Sequence, residues 1–278
     1  MARYAIEYIS LGYRYDSTPI FTVVLRFMGS SSELSVLILP INLNIIPQTL
    51  WSIIGKLKLQ DIRYNVSFLI PNLEYITGDI GIEDYYNNGS ELWLKIANTI
   101  PKHSILLALT STGNGILYFK YLKVKGLIEK YLKNINAITV SDNELLEKTP
   151  YKWIKSIVDD ILIIRAPLNH NSTPIVLEYL LQVLGVIKSE TTIKLPLQIG
   201  EFKSTSSVCR LFCSRSGYIV YHVKPGERVE RGQIVAEVKW FFGETLEQVK
   251  SPSSGLVVAL RRNSMVKSGS LIAELVTL

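Results

Sequence analysis

Residues 216–238 and 254–276 carry one short pattern twice, and this repeat constrains the C-terminal end of the chain more than any other feature. The first copy reads SGYIVYHVKPGERVERGQIVAEV and the second SGLVVALRRNSMVKSGSLIAELV. Each holds Ser-Gly-x-(Ile/Val)-Val, a turn, and then Val-x-x-Gly-x-(Ile/Leu)-(Val/Ile)-Ala-Glu-(Val/Leu). The anchors pair as Gly217 with Gly255, Val229 with Val266, Gly232 with Gly269, and Ala236-Glu237 with Ala273-Glu274. Short β-forming runs punctuated by glycine predict two similar β-units, with glycine supplying turns that need positive φ. After Pro196 no window is long or periodic enough for a helix, so an all-β domain is expected over 196–278.

Two such units resemble the barrel-sandwich hybrid of biotinyl and lipoyl domains, in which two halves interlock around a small core. A carrier domain of that kind needs a lysine at the hairpin tip between its halves. The tip here is Lys239-Trp240-Phe241-Phe242-Gly243-Glu244-Thr245, and Lys239 and Lys250 fit strand ends better than the tip. A carrier role is therefore set aside.

Upstream, over 1–195, short apolar runs alternate with segments of helical spacing, the pattern of an α/β domain with a mixed sheet. Strands are expected at Ile20–Phe27, Leu34–Leu39, Asn65–Ile70, Ser104–Leu109, Ala137–Val140 and Asp160–Arg165. Helices are expected at Gln48–Leu57, Glu91–Thr99, Leu117–Asn134, Trp153–Asp159 and Pro174–Gly185. The lysines of KYLKVKGLIEKYLK, Lys120 to Lys133, read as the solvated face of the third helix. Thr112-Gly113-Asn114-Gly115 reads as a turn.

Composition narrows the class. With 47% hydrophobic and 19% charged residues, the 278-residue chain is globular, not disordered. Its only cysteines, Cys209 and Cys213, make no disulfide framework, which points to a reduced, cytoplasmic protein. The apolar stretch Leu34–Ile54 is broken by Pro40, Asn42, Asn44, Pro47 and Gln48, so no membrane span and no membrane partner are expected. The net charge of +6 comes without a basic–aromatic binding motif, and no nucleic-acid partner is expected.

One further set of residues suggests a family. Trp240-Phe241-Phe242-Gly243, followed by Val249-Lys250-Ser251-Pro252-Ser253-Ser254-Gly255 and preceded by Val223-Lys224-Pro225-Gly226-Glu227-Arg228-Val229-Glu230-Arg231-Gly232, is similar to the C-terminal domain of succinylglutamate desuccinylase/aspartoacylase family proteins. The resemblance covers roughly residues 200–278. It implies an α/β zinc-carboxypeptidase-like N-terminal domain, joined to a C-terminal barrel-sandwich hybrid. Active members of that family hydrolyse acyl-amino acids on zinc. The metal sits on a His-Gly-(Asp/Asn)-Glu motif and a later histidine, and a glutamate serves as base. Three protein ligands leave one position for a water whose pKa the metal lowers.

The matching places here hold other chemistry. After Leu34–Leu39 comes Pro40-Ile41-Asn42-Leu43-Asn44-Ile45-Ile46-Pro47, without His, Asp, Glu or Cys. The later strand end offers Thr110 or Ser111 where histidine is implied, and the base region offers Arg165. Asp79-Ile80-Gly81-Ile82 stands at best where a substrate-gripping Asp-Leu-Asn-Arg is implied. The histidines are only His103, His170 and His222, none with an acidic residue or histidine at i+3 or i+4. The expectation is a catalytically inactive relative without cofactor or metal. Asn42, Asn44, Thr110, Ser111 and Arg165 would line its cleft and take an acyl-amino-acid-like ligand. The rival expectation is a zinc-dependent deacylase of N-acyl amino acids. The aromatic tip either folds over its own α/β domain and closes the cleft, which is the plainer expectation, or docks onto a paralogous subunit.

Overall fold

The structure, a computed structural model, describes residues 3–13, 19–40, 46–59, 61–70, 90–111, 114–135, 137–147, 151–166, 172–188, 193, 195, 207–262 and 264–277. In chain order these form β1 (Arg3–Tyr13), β2 (Pro19–Met28), β3 (Ser31–Pro40), α1 (Ile46–Leu59), β4 (Tyr64–Ile70), α2 (Ser90–Thr99), β5 (His103–Ser111), β6 (Asn114–Gly115), β7 (Tyr118–Lys123), α3 (Glu129–Leu132), β8 (Thr139–Ser141), α4 (Tyr151–Ile154), β9 (Val158–Ala166) and α5 (Ser172–Val183). Seven of the strands and β8 build one mixed eight-stranded sheet in the order β1-β2-β4-β3-β5-β9-β7-β8. Its centre, β4-β3-β5-β9, is parallel. Parallel strands buried on both faces read as continuous apolar runs, and β5 (HSILLALTS) is such a run.

Alternate residues of β5 feed two cores. Ile105, Leu107 and Leu109 join Ile53, Leu57, Leu177 and Leu180 of α1 and α5 on one face. Leu106 and Ala108 join Ile96, Tyr151 and Ile154 of α2 and α4 on the other. The helix expected over Leu117–Asn134 is not there. That segment starts with the strand β7, antiparallel to β9, and has only the short α3 behind it. Lysine stands at every third place in YFKYLK, and the β-forming aromatics between override that helical spacing of charges. Lys120 is accordingly 3% exposed, not part of a solvated face. Likewise the helix expected over Trp153–Asp159 stops at Ile154, because Val158 already pairs with His103 in the sheet.

Beyond residue 207 follow β10 (Val208–Phe212), β11 (Gly217–Tyr221), β12 (Arg228–Val229), β13 (Ile234–Lys239), β14 (Thr245–Lys250), β15 (Gly255–Leu260), β16 (Met265–Val266) and β17 (Leu271–Thr277). They form two antiparallel sheets, β10-β17-β15-β12 and β14-β13-β11-β16, around a core of Ile219, Val235, Val238, Val257, Ile272 and Leu275. Each repeat copy contributes its outer strands to one sheet: β11 and β13 to the second, β15 and β17 to the first. Gly232 and Gly269 have φ of 87° and 80°, as the turn argument requires. Gly217 and Gly255 serve differently. A Cβ at Gly217 would lie 2.5 Å from the Lys239 carbonyl oxygen, and one at Gly255 would lie 2.7 Å from that of Val276.

The two parts of the chain are joined. Asn114 and Gly115 of β6, expected only as a turn, pair with Leu260 and Ala259 of β15. Ile116, Tyr118, Ile138 and Val140 pack with Leu256, Val258 and Val276 in one apolar cluster. No helix among the described residues is long and apolar enough to cross a membrane.

Candidate functional site

At the C-terminal end of the sheet three neighbouring strands bring three side chains into one row. Thr110 of β5 stands beside Arg165 of β9, which stands beside Tyr118 of β7. The Arg165 guanidinium donates from Nη1 to Thr110 Oγ1 at 3.2 Å and from Nε to Tyr118 Oη at 3.3 Å. Thr110 Oγ1 in turn donates to the Ile164 carbonyl at 3.3 Å. Two residues expected from sequence to share a cleft, Thr110 and Arg165, therefore touch. Ser111 pairs with Ala166 through the backbone at the very end of β5. Asn42, Asn44, Asp79–Ile82 and His170 lie outside the described residues.

The row continues into the C-terminal sheets. Arg165 Nη2 reaches Glu274 Oε2 of β17 at 3.1 Å, and the Tyr118 hydroxyl donates to the same oxygen. Lys120, two residues along β7, donates to Glu274 Oε1 at 2.7 Å and pairs with Asp142 at 3.2 Å. Arg210 of β10 pairs with Asp142 and, at 3.2 Å, with the exposed Glu144. Three cations thus meet two buried carboxylates, with Glu144 at the rim. Burial opposes charge on Glu274, but Arg165 and then Lys120 outweigh it and hold that carboxyl well below the usual carboxylate range. Burial lowers the Lys120 ammonium and raises the Tyr118 hydroxyl well above an ordinary phenol. Of the three groups that meet at Glu274 Oε2, Arg165 keeps a side-chain exposure of 23%, whereas Glu274 keeps 5% and Tyr118 is buried, so solvent reaches this end of the network at the guanidinium.

Sequence reasoning missed Tyr118, Lys120, Asp142, Arg210 and Glu274. The one usable signal was Glu274 itself, a lone acid inside the apolar run LIAELV. Its hydrogen-bond partners Tyr118, Lys120 and Arg165 lie more than a hundred residues away along the chain, where spacing carries no information.

The two histidines among the described residues, His103 and His222, do not converge. His103 opens β5 at the end opposite Thr110, with Nδ1 2.7 Å from the Pro101 carbonyl and Nε2 3.0 Å from Ser67 Oγ. Burial lowers its pKa to about 4. His222 lies in the C-terminal sheets, 3.4 Å from Glu237. Among the described residues no three His, Cys, Asp or Glu side chains stand together as a metal-binding group. The donor set at the strand ends does not suit zinc, because a threonine hydroxyl is a poor ligand and a permanently charged guanidinium stands against it.

Sheet order, helical layers and the two antiparallel sheets together define an architecture, that of succinylglutamate desuccinylase/aspartoacylase family proteins. The product-bound ectoine utilization protein EutE (DoeB) from Ruegeria pomeroyi superimposes with a TM-score of 0.73 at 14% identity, over 100% of this chain and 95% of that one. An aspartoacylase family protein from Mesorhizobium loti gives 0.72 at 11% identity, over 100% and 96%. The succinylglutamate desuccinylase/aspartoacylase from Rhodobacter sphaeroides gives 0.69 at 13%, over 100% and 94%. No protein-family model and no curated protein matches the sequence. At these identities the likeness is one of fold.

Proposed function

We propose that this chain is a non-hydrolytic binding or assembly module built on the succinylglutamate desuccinylase/aspartoacylase fold, taking a small acyl-amino-acid-like ligand without metal. One observation carries the reading: the end of β5, where the resemblance implies a metal-ligating histidine, holds Thr110 bonded to the Arg165 guanidinium. A divalent cation there would face a fixed positive charge, whereas a carboxylate would be attracted to it. In this reading Arg165 is the anchor for such a carboxylate beside Thr110, and Ser111, Asn42 and Asn44 are proposed as further ligand contacts. Glu274 keeps Arg165 in place but is itself shared with Lys120 and Tyr118.

The same reading takes residues 1–195 and 196–278 as two domains, the second a barrel-sandwich hybrid. The paired repeat copies and their separate sheets favour it. Cys209 and Cys213 as free thiols suit a cytoplasmic setting.

Calorimetric titration of the purified chain with zinc, and separately with a panel of N-acyl amino acids, tests the proposal. No stoichiometric uptake of zinc is expected. Any ligand heat should survive chelator and be lost in Arg165→Met. Tight one-to-one zinc binding, or hydrolysis of an N-acyl amino acid that a chelator abolishes, would establish the deacylase instead.

A further inference from the structure

The repeat gives the C-terminal unit two equivalent outer faces, and among the described residues only one of them is covered. In the second copy the outward residues are Leu256, Val258, Glu274 and Val276, exposed by 1%, 0%, 4% and 0%. They pack on Ile116, Tyr118, Ile138 and Val140, with Glu274 meeting Lys120 and Arg165. The residues at matching positions of the first copy are Tyr218, Val220, Glu237 and Lys239. Tyr218 and Val220 are 37% and 40% exposed. The first face thus repeats the chemistry of an interface, an apolar centre with a glutamate at its edge.

Around that centre the apolar surface widens. Met265 of β16 sits across from Tyr218 of β11. The hairpin tip does not fold over the α/β part, since Trp240, Phe241 and Phe242 are 51%, 71% and 82% exposed. The Phe241 ring lies 6.2 Å from Tyr218 and 5.4 Å from Phe242, so sheet and tip form one patch. With Leu246, 40% exposed, seven large apolar side chains stand exposed on this sheet and tip, and their aromatic members are the residue types that dominate interface energetics. Isolated exposed apolar residues are ordinary, but a contiguous patch of this size marks a contact.

We infer that this face binds the same face of a second copy of the chain, about a two-fold axis. The charges select that occupant. Glu237 and Lys239 point outward from one strand, two residues apart, with Nζ 3.3 Å from Oε2. A two-fold axis passing opposite the inward Val238 sets Lys239 of each chain over Glu237 of the other, so the face is complementary to itself. The surface that the second repeat copy uses, around Lys120, is already occupied in every copy by its own Glu274. An anionic bilayer is disfavoured, because Glu237, Glu244 and Glu247 flank the aromatic tip.

Sedimentation of the full chain over a micromolar concentration series tests this, with thermal unfolding of each variant as the folding control. The parent should dimerise. Lys239→Glu should weaken the dimer about tenfold or more, because each change acts twice across the axis. Glu237→Lys combined with Lys239→Glu should restore it to near the parent value. Phe241→Ser with Phe242→Ser should leave a folded monomer. A parent that stays monomeric throughout the series overturns the inference, as does a dimer indifferent to Lys239→Glu or not restored by the charge exchange. A monomeric parent that co-sediments with phosphatidylserine vesicles would give the face to a membrane, and one that associates only with a paralogous subunit would give it to that partner.

Discussion

Glu237 and Glu274 occupy the same place in the repeat and face opposite circumstances. Glu237 stands near the surface with Lys239, Gln248 and His222 around it. Glu274 is buried and is the carboxylate on which Arg165, Lys120 and Tyr118 converge. Removing one partner from a buried charge network leaves the rest uncompensated, which typically costs about 3–5 kcal/mol. Glu274→Gln should therefore lower stability by that amount in denaturant unfolding at concentrations too low for self-association, while Glu237→Gln should there leave the midpoint close to the parent's. Equal effects of the two changes would contradict the assignment of the network. That Thr110 and Arg165 come together was legible because they end apolar strands whose position along the chain was clear. Lys120 was not, since a lysine among aromatics reads as solvated until its distant carboxylates are known.

Among the elements, the strongly apolar parallel strands β3, β4, β5 and β9 were readable from sequence, as were α1, α2 and α5. β7 was not, because its lysines imitate the spacing of a helix surface while its aromatics pack as a strand. β6 escaped notice for a different reason: two residues of turn-like sequence become a strand only when β15 is there to pair with them. The repeat glycines show two separate constraints. At Gly217 and Gly255 the neighbouring backbone leaves no room for a Cβ, and at Gly232 and Gly269 the backbone itself is left-handed. Gly255→Ala should cost about 1–3 kcal/mol through the contact with the Val276 carbonyl. Gly55→Ala, in the interior of α1 with nothing within 4 Å, should instead stabilise by roughly 1 kcal/mol. Chemical denaturation of both variants checks the pair, and a tolerated alanine at 255 would refute the close-approach argument.

Taken as one molecule, the chain couples its two parts through the pairing of β6 with β15, the apolar cluster around Tyr118 and Val258, and the Glu274 network. Calorimetry at neutral pH should show a single unfolding transition. The folded Glu274 carboxyl titrates below its ordinary value of 4.5. Its contribution is therefore complete above that value and is lost as pH falls below it. The melting temperature should drop as pH is lowered from about 4.5, and less so in Glu274→Gln. Two transitions at neutral pH would show that the parts do not support one another.

Local chemistry was decided by the sequence alone. The repeat set two β-units, the apolar runs set the central sheet, and the absence of His, Asp, Glu and Cys from residues 40–47 set the expectation of a cleft without the usual ligands. Only the tertiary structure decided which of the two equivalent faces is covered, and that Glu274 meets cations from β7 and β9. Both outcomes depend on contacts between residues far apart in the chain, and pairing at a distance leaves no periodic trace in a single sequence.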